Sequence, residues 1–211
     1  MTEPMVALPG LGAAIPATLA ANIVQWALER PDEVPPPIAK TLTLVHHLKE
    51  YGCPFFVETG TFLGDAVDAI ARIGAPHGLK AITIELSEEL HANALRRFAG
   101  RANVECLQGD SGALLPEVVA RLTGPALFWL DGHYSGGMTA RGAEVCPVMR
   151  ELAAIFASPI KEHVILIDDI RLFGTEGYPS VTEITDAVAR HLPRSSVKIL
   201  NDILRVLPPR D

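Results

Sequence analysis

Cysteine is scarce in this chain, no stretch is rich in lysine and arginine, and no long uninterrupted apolar run is present. Cys53, Cys106 and Cys146 are the only cysteines, widely spaced and without a C-x-x-C pair. That spacing argues against a zinc ribbon, a dithiol redox motif or a disulfide framework, and the expectation is buried thiols in a reducing compartment, hence a cytoplasmic protein. The N-terminus carries Thr2-Glu3 in place of a basic segment, and its apolar stretch is broken by Pro9 and Pro16. Neither a signal peptide nor a membrane span is expected there. With 18 basic and 25 acidic residues the formal charge is -7 and the pI about 5.5. Without a basic patch, an electrostatic grip on nucleic acid or an acidic membrane is disfavoured, and a small, weakly charged ligand is the better partner. The sequence also lacks internal repeats and low-complexity segments.

What is present is length and apolar content enough for one ordinary domain, 211 residues at 48% hydrophobic. Short apolar runs alternate with amphipathic stretches, the pattern of an open, mostly parallel α/β sheet. Helical spacing covers 18–29 and 38–50, separated by Pro31 and the Pro35-Pro36-Pro37 run, and marks residues 1–50 as a helical extension preceding a domain at 51–211. Further helices are predicted at 65–73, at 87–98 with Ser87 as N-cap, at 112–122 and at 182–192. Strands are predicted at the apolar runs beginning at Phe55, Ala81, Val104, Ala126 and Val164. Two more, 197–200 and 203–207, flank a tight Asn201-Asp202 turn.

The first of these runs carries the strongest signal: Phe55-Phe56-Val57-Glu58-Thr59-Gly60-Thr61-Phe62-Leu63-Gly64-Asp65. A buried strand stops at a tight loop whose small residues let a ligand approach the backbone, with the N–H groups of the next helix facing it. Dinucleotide sites place pyrophosphate on such a turn, and a carboxylate at its mouth, Glu58, would repel it. S-adenosylmethionine (SAM) has no phosphate and carries an ammonium and a sulfonium, so an acidic lip suits it. The E-x-G-x-x-x-G spacing resembles motif I of class I SAM-dependent methyltransferases. Val104-Glu105-Cys106-Leu107-Gln108-Gly109-Asp110-Ser111, the phrase Leu130-Asp131-Gly132-His133-Tyr134-Ser135-Gly136-Gly137 and the run Leu166-Ile167-Asp168-Asp169-Ile170-Arg171 extend the likeness over residues 53–207. They resemble both metal-dependent O-methyltransferases of the catechol and macrolide-sugar types and a bacterial group of class I enzymes without an assigned substrate.

The resemblance implies a Rossmann-like, doubly wound, seven-stranded sheet with helices on both faces and a C-terminal antiparallel hairpin. It implies that Glu58, Gly60, Thr61 and Gly64 border SAM and that Asp110 and Ser111 hold the adenine edge. Glu85, 27 positions after Glu58 at the end of the next strand, is the ribose candidate. Asp131, Asp168 and Asp169 would project from adjacent strand ends, Asp131 bordering the cofactor as well. Three carboxylates that close require compensation, and an all-oxygen set favours a hard ion such as Mg²⁺, which would bind an acceptor hydroxyl and orient it toward the methyl group. Asp131 and His133 are the catalytic candidates, His133 as general base; the related families carry other residues there, and a loop histidine or a metal ligand are the alternatives. Tyr134 could border the sulfonium. Residues 135–144, with Gly136, Gly137, Gly142 and Arg141, form a candidate lid, or an ordinary surface loop. The expected reaction is methyl transfer from SAM to a hydroxyl of a small molecule: a sugar, a phenol or a natural-product intermediate. A nicotinamide-dependent oxidoreductase and a non-catalytic SAM- or sugar-binding module remain as alternatives. The helix with Ile23, Trp26 and Ala27 could cover the acceptor, form a homodimer seam, or simply pack on its own sheet.

Overall fold

Strand and helix boundaries follow from where the apolar period changes, and the computed structural model describes them for residues 3–8, 13–29, 34–132 and 145–209. Contacts divide the chain into two units, Met1–Gly52 and Cys53–Asp211. In the first, β1 (Met5–Leu8) pairs antiparallel with β2 (Ala13–Pro16), followed by helices α1 (Ala17–Glu29) and α2 (Pro37–Tyr51). Pro37 suits the first turn of α2, where its missing N–H is not needed, and Gly52 ends the helix in a left-handed conformation (φ 60°), its N–H on the Leu48 carbonyl at 2.9 Å. The strand pair is absent from the sequence reading, because four residues such as Ala13-Ala14-Ile15-Pro16 are too few to show a period.

The second unit runs β3 (Phe55–Thr59), α3 (Asp65–Gly74), β4 (Lys80–Glu85), α4 (Glu88–Arg97), β5 (Val104–Gln108), α5 (Ser111–Ala120), β6 (Ala126–Leu130), α6 (Val148–Phe156), β7 (Val164–Ile167), α7 (Val181–His191), β8 (Ser196–Leu200) and β9 (Ile203–Leu207). The seven strands lie in the order β5-β4-β3-β6-β7-β9-β8. All neighbours are parallel until β9, which runs antiparallel to both β7 and β8. This is the doubly wound sheet with a reversed terminal hairpin that the resemblance implies.

The central strands β6 and β7 are buried along their whole length, which is why they read as unbroken apolar runs. Val57, Ile84, Phe128, Leu130, Ile165 and Ile167 form one core with Leu115, Leu152, Ile155 and Ile184 from α5, α6 and α7. Alternation sends Phe56, Glu58, Thr83, Trp129 and Leu166 to the opposite face. Helix α6 is missing from the sequence reading, although Val148, Leu152, Ile155 and Phe156 are buried at the helical spacing i, i+4, i+7, i+8. Leading into β7, the ring of buried His163 accepts the Ala126 N–H at Nδ1 (3.0 Å), which leaves Nε2 to donate to Ser158 Oγ (2.9 Å). Burial depresses its pKa to about 4, so it is a neutral structural histidine. Cys53 is a buried thiol, and Cys106 and Cys146 are half-buried. No helix among the described residues is long and apolar enough to cross a membrane.

Candidate active site

The strand order reverses direction between β3 and β6, the crevice where open α/β sheets bind ligands. Gly60 (φ 81°) sits there, and a Cβ on it would lie 2.4 Å from the Asp131 carbonyl oxygen. Only glycine lets the two strand ends approach this closely. The loop is held by N–H bonds from Gly60 and Thr61 to the Ile84 carbonyl (2.9 and 3.3 Å). Gly64, also left-handed (φ 83°), starts α3 under the Phe98 ring. From α4, Arg97 reaches the Leu63 carbonyl, Asp65 (2.7 Å) and Asp68 (3.3 Å), tying the loop to the neighbouring helix.

Glu58 corrects one expectation. It does not form an exposed lip: only 2% exposed, it accepts from the Thr83 hydroxyl at 2.6 Å, which lies 2.6 Å from the Thr61 hydroxyl. Its partner at the same register position on β4 is Thr83, so the side chain stays on the covered face of the sheet. Burial pushes its pKa up to about 8, against the pull of Thr83. A carboxyl turned into the covered face and bonded to Thr83 offers no exposed charge to repel pyrophosphate, so the charge argument against a dinucleotide does not rest on Glu58. The reversed hairpin takes its place, because the dinucleotide fold of order 3-2-1-4-5-6 lacks it.

Glu85, also buried, accepts backbone N–H groups on both oxygens, from Phe62 (2.8 Å) and Ser87 (2.9 Å). It thereby joins the glycine loop to the start of α4 at the end of β4. Asp110 caps α5 through the Gly112 N–H (2.9 Å) and binds Arg150 of α6 through both oxygens (3.1 and 2.9 Å). Ser111 donates to Glu151 at 2.5 Å. Glu151 is 1% exposed, and burial pushes its pKa up to about 7, with the Ser111 hydroxyl pulling it back. A Cβ on Gly132 would lie 3.2 Å from Glu151 Oε1, so this acid sits directly below the strand-end loop. Arg150 and Glu151 were missed because α6 was missed.

The third group is acidic. The ladder continues past the strand ends, with Asp131 N–H on the Thr59 carbonyl and Asp168 N–H on the Leu130 carbonyl, both 3.1 Å. This sets Asp131 and Asp168 side by side at adjacent strand ends, on the register Leu130↔Ile167. Consecutive residues of a strand point to opposite faces, so Asp169 would normally turn away. Its left-handed backbone (φ 54°) turns it back instead. One carboxylate oxygen from each of Asp131, Asp168 and Asp169 lies within 4.8 Å of the others. Arg171 binds Asp169 at 2.8 Å. Beside them, the edge-on pair of Phe173 and Tyr178 (ring centroids 5.7 Å) packs in the segment before α7. The Tyr178 phenol is pushed up to about 12 by burial and then by Cys146, Asp169 and Asp131. Neither ring was singled out in the sequence. A small cleft lined by Gly132, Cys146, Glu151, Asp168 and Phe173 separates the acids from α6. His133, Tyr134 and the candidate lid 135–144, Arg141 included, lie outside the described residues.

No protein-family model matches the sequence, and no curated protein matches it. Solved structures do. An O-methyltransferase of Bacillus cereus in complex with SAH superposes with a TM-score of 0.61 at 18% identity, over 92% of this chain and 91% of that one. The O-methyltransferase TomG of Streptomyces achromogenes, involved in tomaymycin synthesis and solved with SAM, gives 0.58 at 15% identity over 97% and 92%. The SAH-bound methyltransferase PaMTH1 of Podospora anserina gives 0.55 at 17% over 93% and 89%. The fold is that of the class I SAM-dependent methyltransferases. The glycine loop follows β3, Glu85 ends β4 and Asp110-Ser111 follow β5, all on one side of the switch point, whereas Asp131, Asp168 and Asp169 follow β6 and β7 on the other.

Proposed function

We propose that this protein is an O-methyltransferase that moves a methyl group from SAM to a hydroxyl of a small molecule, assisted by a divalent cation. The observation that carries the reading is the convergence of Asp131, Asp168 and Asp169 next to the Gly60 turn. The donor set fits the ion: three carboxylates offer oxygen only, the preference of Mg²⁺ or Mn²⁺, and three anions this close need a compensating charge. A cation held by these acids would lower the pKa of the acceptor hydroxyl and orient it.

The chain's own residues do the rest. In the proposed complex the Gly60–Gly64 loop presents backbone to the methionine portion of SAM, Glu85 takes the ribose hydroxyls and Asp110 with Ser111 borders the adenine. Both oxygens of Glu85 keep a second lone pair's direction beside the N–H groups that fix them, so the carboxylate is oriented before ligand arrives. The acceptor oxygen attacks the methyl carbon as the carbon–sulfur bond breaks, and the sulfonium leaves as a neutral thioether. His133 is assigned the proton. Near-attack alignment is worth about 7–11 kcal/mol, against about 10²–10⁴-fold for a positioned base, so alignment is the larger contribution.

The test is calorimetric titration of metal-stripped protein with SAM, repeated with Mg²⁺ and a small diol acceptor. Saturable SAM binding is expected throughout, with acceptor heat only when Mg²⁺ is present. Asp168→Ala should keep SAM affinity within about threefold and abolish turnover, a loss of at least 10³-fold on the scale of metal catalysis. Wild-type activity in that variant would remove the cation from the mechanism, and absence of SAM binding would remove the methyltransferase reading.

A further inference from the structure

The turn of the C-terminal hairpin touches the segment that carries the acidic group. Asn201 and Asp202 connect β8 to β9, both left-handed (φ 54° and 61°), the geometry of a tight two-residue hairpin turn. Asp202 does more than turn the chain. Its carbonyl accepts the Ile170 N–H at 3.0 Å, its carboxylate Oδ1 accepts the Arg171 N–H at 2.8 Å, and its Oδ2 binds the Arg171 guanidinium. The same Nη1 binds Asp169 Oδ1 at 2.8 Å. The side chains of Asp202 and Asp169 are 10% and 13% exposed and that of Arg171 is 39%, so the two carboxylates are held largely out of water while the guanidinium that joins them keeps one edge in it.

Resting on the cation reading above, we propose that Asp202 is a positioning residue for the metal centre. It holds Arg171 between two carboxylates, which fixes the rotamer of Asp169 while sharing the guanidinium's charge. Without Asp202, the guanidinium would have Asp169 as its remaining carboxylate partner in this contact and would compete there with the incoming cation. The hairpin and the acid cluster are then one unit: the turn that leads into the reversed strand β9 delivers the anion that keeps a tethered cation from taking the metal's place.

Asp202→Asn isolates this effect. Asparagine tolerates the left-handed turn, and its carbonyl oxygen can still accept the Arg171 N–H, so the charge is removed with little change in the backbone. The probe is Mn²⁺ alone, titrated into full-length, metal-stripped protein and read by electron paramagnetic resonance. SAM affinity and thermal melting serve as controls. Asp202→Asn is expected to bind Mn²⁺ about tenfold more weakly, with unchanged SAM affinity. Asp202→Asn combined with Arg171→Met is expected to recover most of that loss, because the competing cation is gone. A purely structural role for Asp202 makes the double variant as weak as the single one or weaker. Wild-type Mn²⁺ affinity in the single variant, or no recovery in the double, overturns the proposal. If the wild-type protein itself binds no Mn²⁺, the cation reading falls and this inference falls with it, a result distinct from either of the others.

Discussion

Gly60 carries more constraint than any charged residue at the site. Its backbone is left-handed and its α-carbon faces the Asp131 carbonyl at a distance that leaves no space for a methyl group. The obstacle is backbone, which cannot swing aside as a flexible side chain would. Gly60→Ala is therefore expected to lose about 2–4 kcal/mol of stability, from backbone strain plus displacement of a strand end. If SAM binds as proposed, its affinity should fall at least about tenfold, since the displaced strand end belongs to the loop assigned to the cofactor; urea unfolding and calorimetry check the two effects. Near-wild-type values for both would mean that β3 and β6 separate easily. Gly60 was legible in the sequence because glycine at a strand end has few other uses. Glu58 was only half legible: its position in the motif could be read, but its burial depends on Thr83, 25 residues away, which no local pattern reveals.

At the scale of elements, α4 acts as a brace for the glycine loop. Arg97 in its last turn contacts the Leu63 carbonyl and two acids of α3, Asp65 and Asp68, and Asp68 also receives Arg72 and Arg101. Asp65 is largely exposed, so that pair is screened, and Arg97→Ala should cost no more than about 1 kcal/mol of stability. Its effect should appear in binding, where a loosened loop must be ordered when SAM arrives. A three- to fivefold weaker SAM affinity with a nearly unchanged melting temperature is expected, and equal affinity would show that the loop is held by its own backbone bonds. The central strands of the sheet were legible because both of their faces are covered, which leaves uninterrupted apolar runs such as Val164-Ile165-Leu166-Ile167. Helix α6 has a readable period in Val148, Leu152, Ile155 and Phe156, but it is only nine residues long and carries no side-chain cap to mark its start. The turn of Asp169 into the acid cluster had no period to read, because a single left-handed residue leaves no trace in composition.

Among the described residues, the buried groups Glu58, Glu151 and His163 have pKa values moved far within the range between pH 4 and 8, and their effects on stability do not all have the same sign. Glu58 and Glu151 are raised from 4.5 to about 8 and about 7, so between pH 4.5 and those values the folded protein holds protons that the unfolded chain releases. Their contribution is complete below pH 4.5 and is lost as pH rises. His163 is lowered from 6.5 to about 4, so the unfolded chain holds its proton where the folded protein does not. Its contribution is complete above pH 6.5 and is lost as pH falls. Between pH 4.5 and 6.5 these three groups thus leave the folded state with two carboxyl protons more and one imidazole proton fewer, a net of one, and their joint contribution should decline with rising pH by about 1.4 kcal/mol per unit. Above pH 6.5 the histidine no longer offsets the acids, and the decline should steepen until Glu151 ionises near 7, then continue at about the earlier slope to 8. Glu151→Gln keeps an acceptor for Ser111 and removes one of the two protons. In urea unfolding of the metal-free protein, the variant's stability should therefore fall less steeply than that of wild type, by about 1.4 kcal/mol per pH unit between pH 4.5 and 7, because a glutamine at this position has no proton that the unfolded chain would release. Parallel curves for the two proteins would mean that Glu151 is already ionised in the folded state. The acid below Gly132 would then carry a full negative charge into the crevice, and the balance of charge proposed for the metal centre would have to include it.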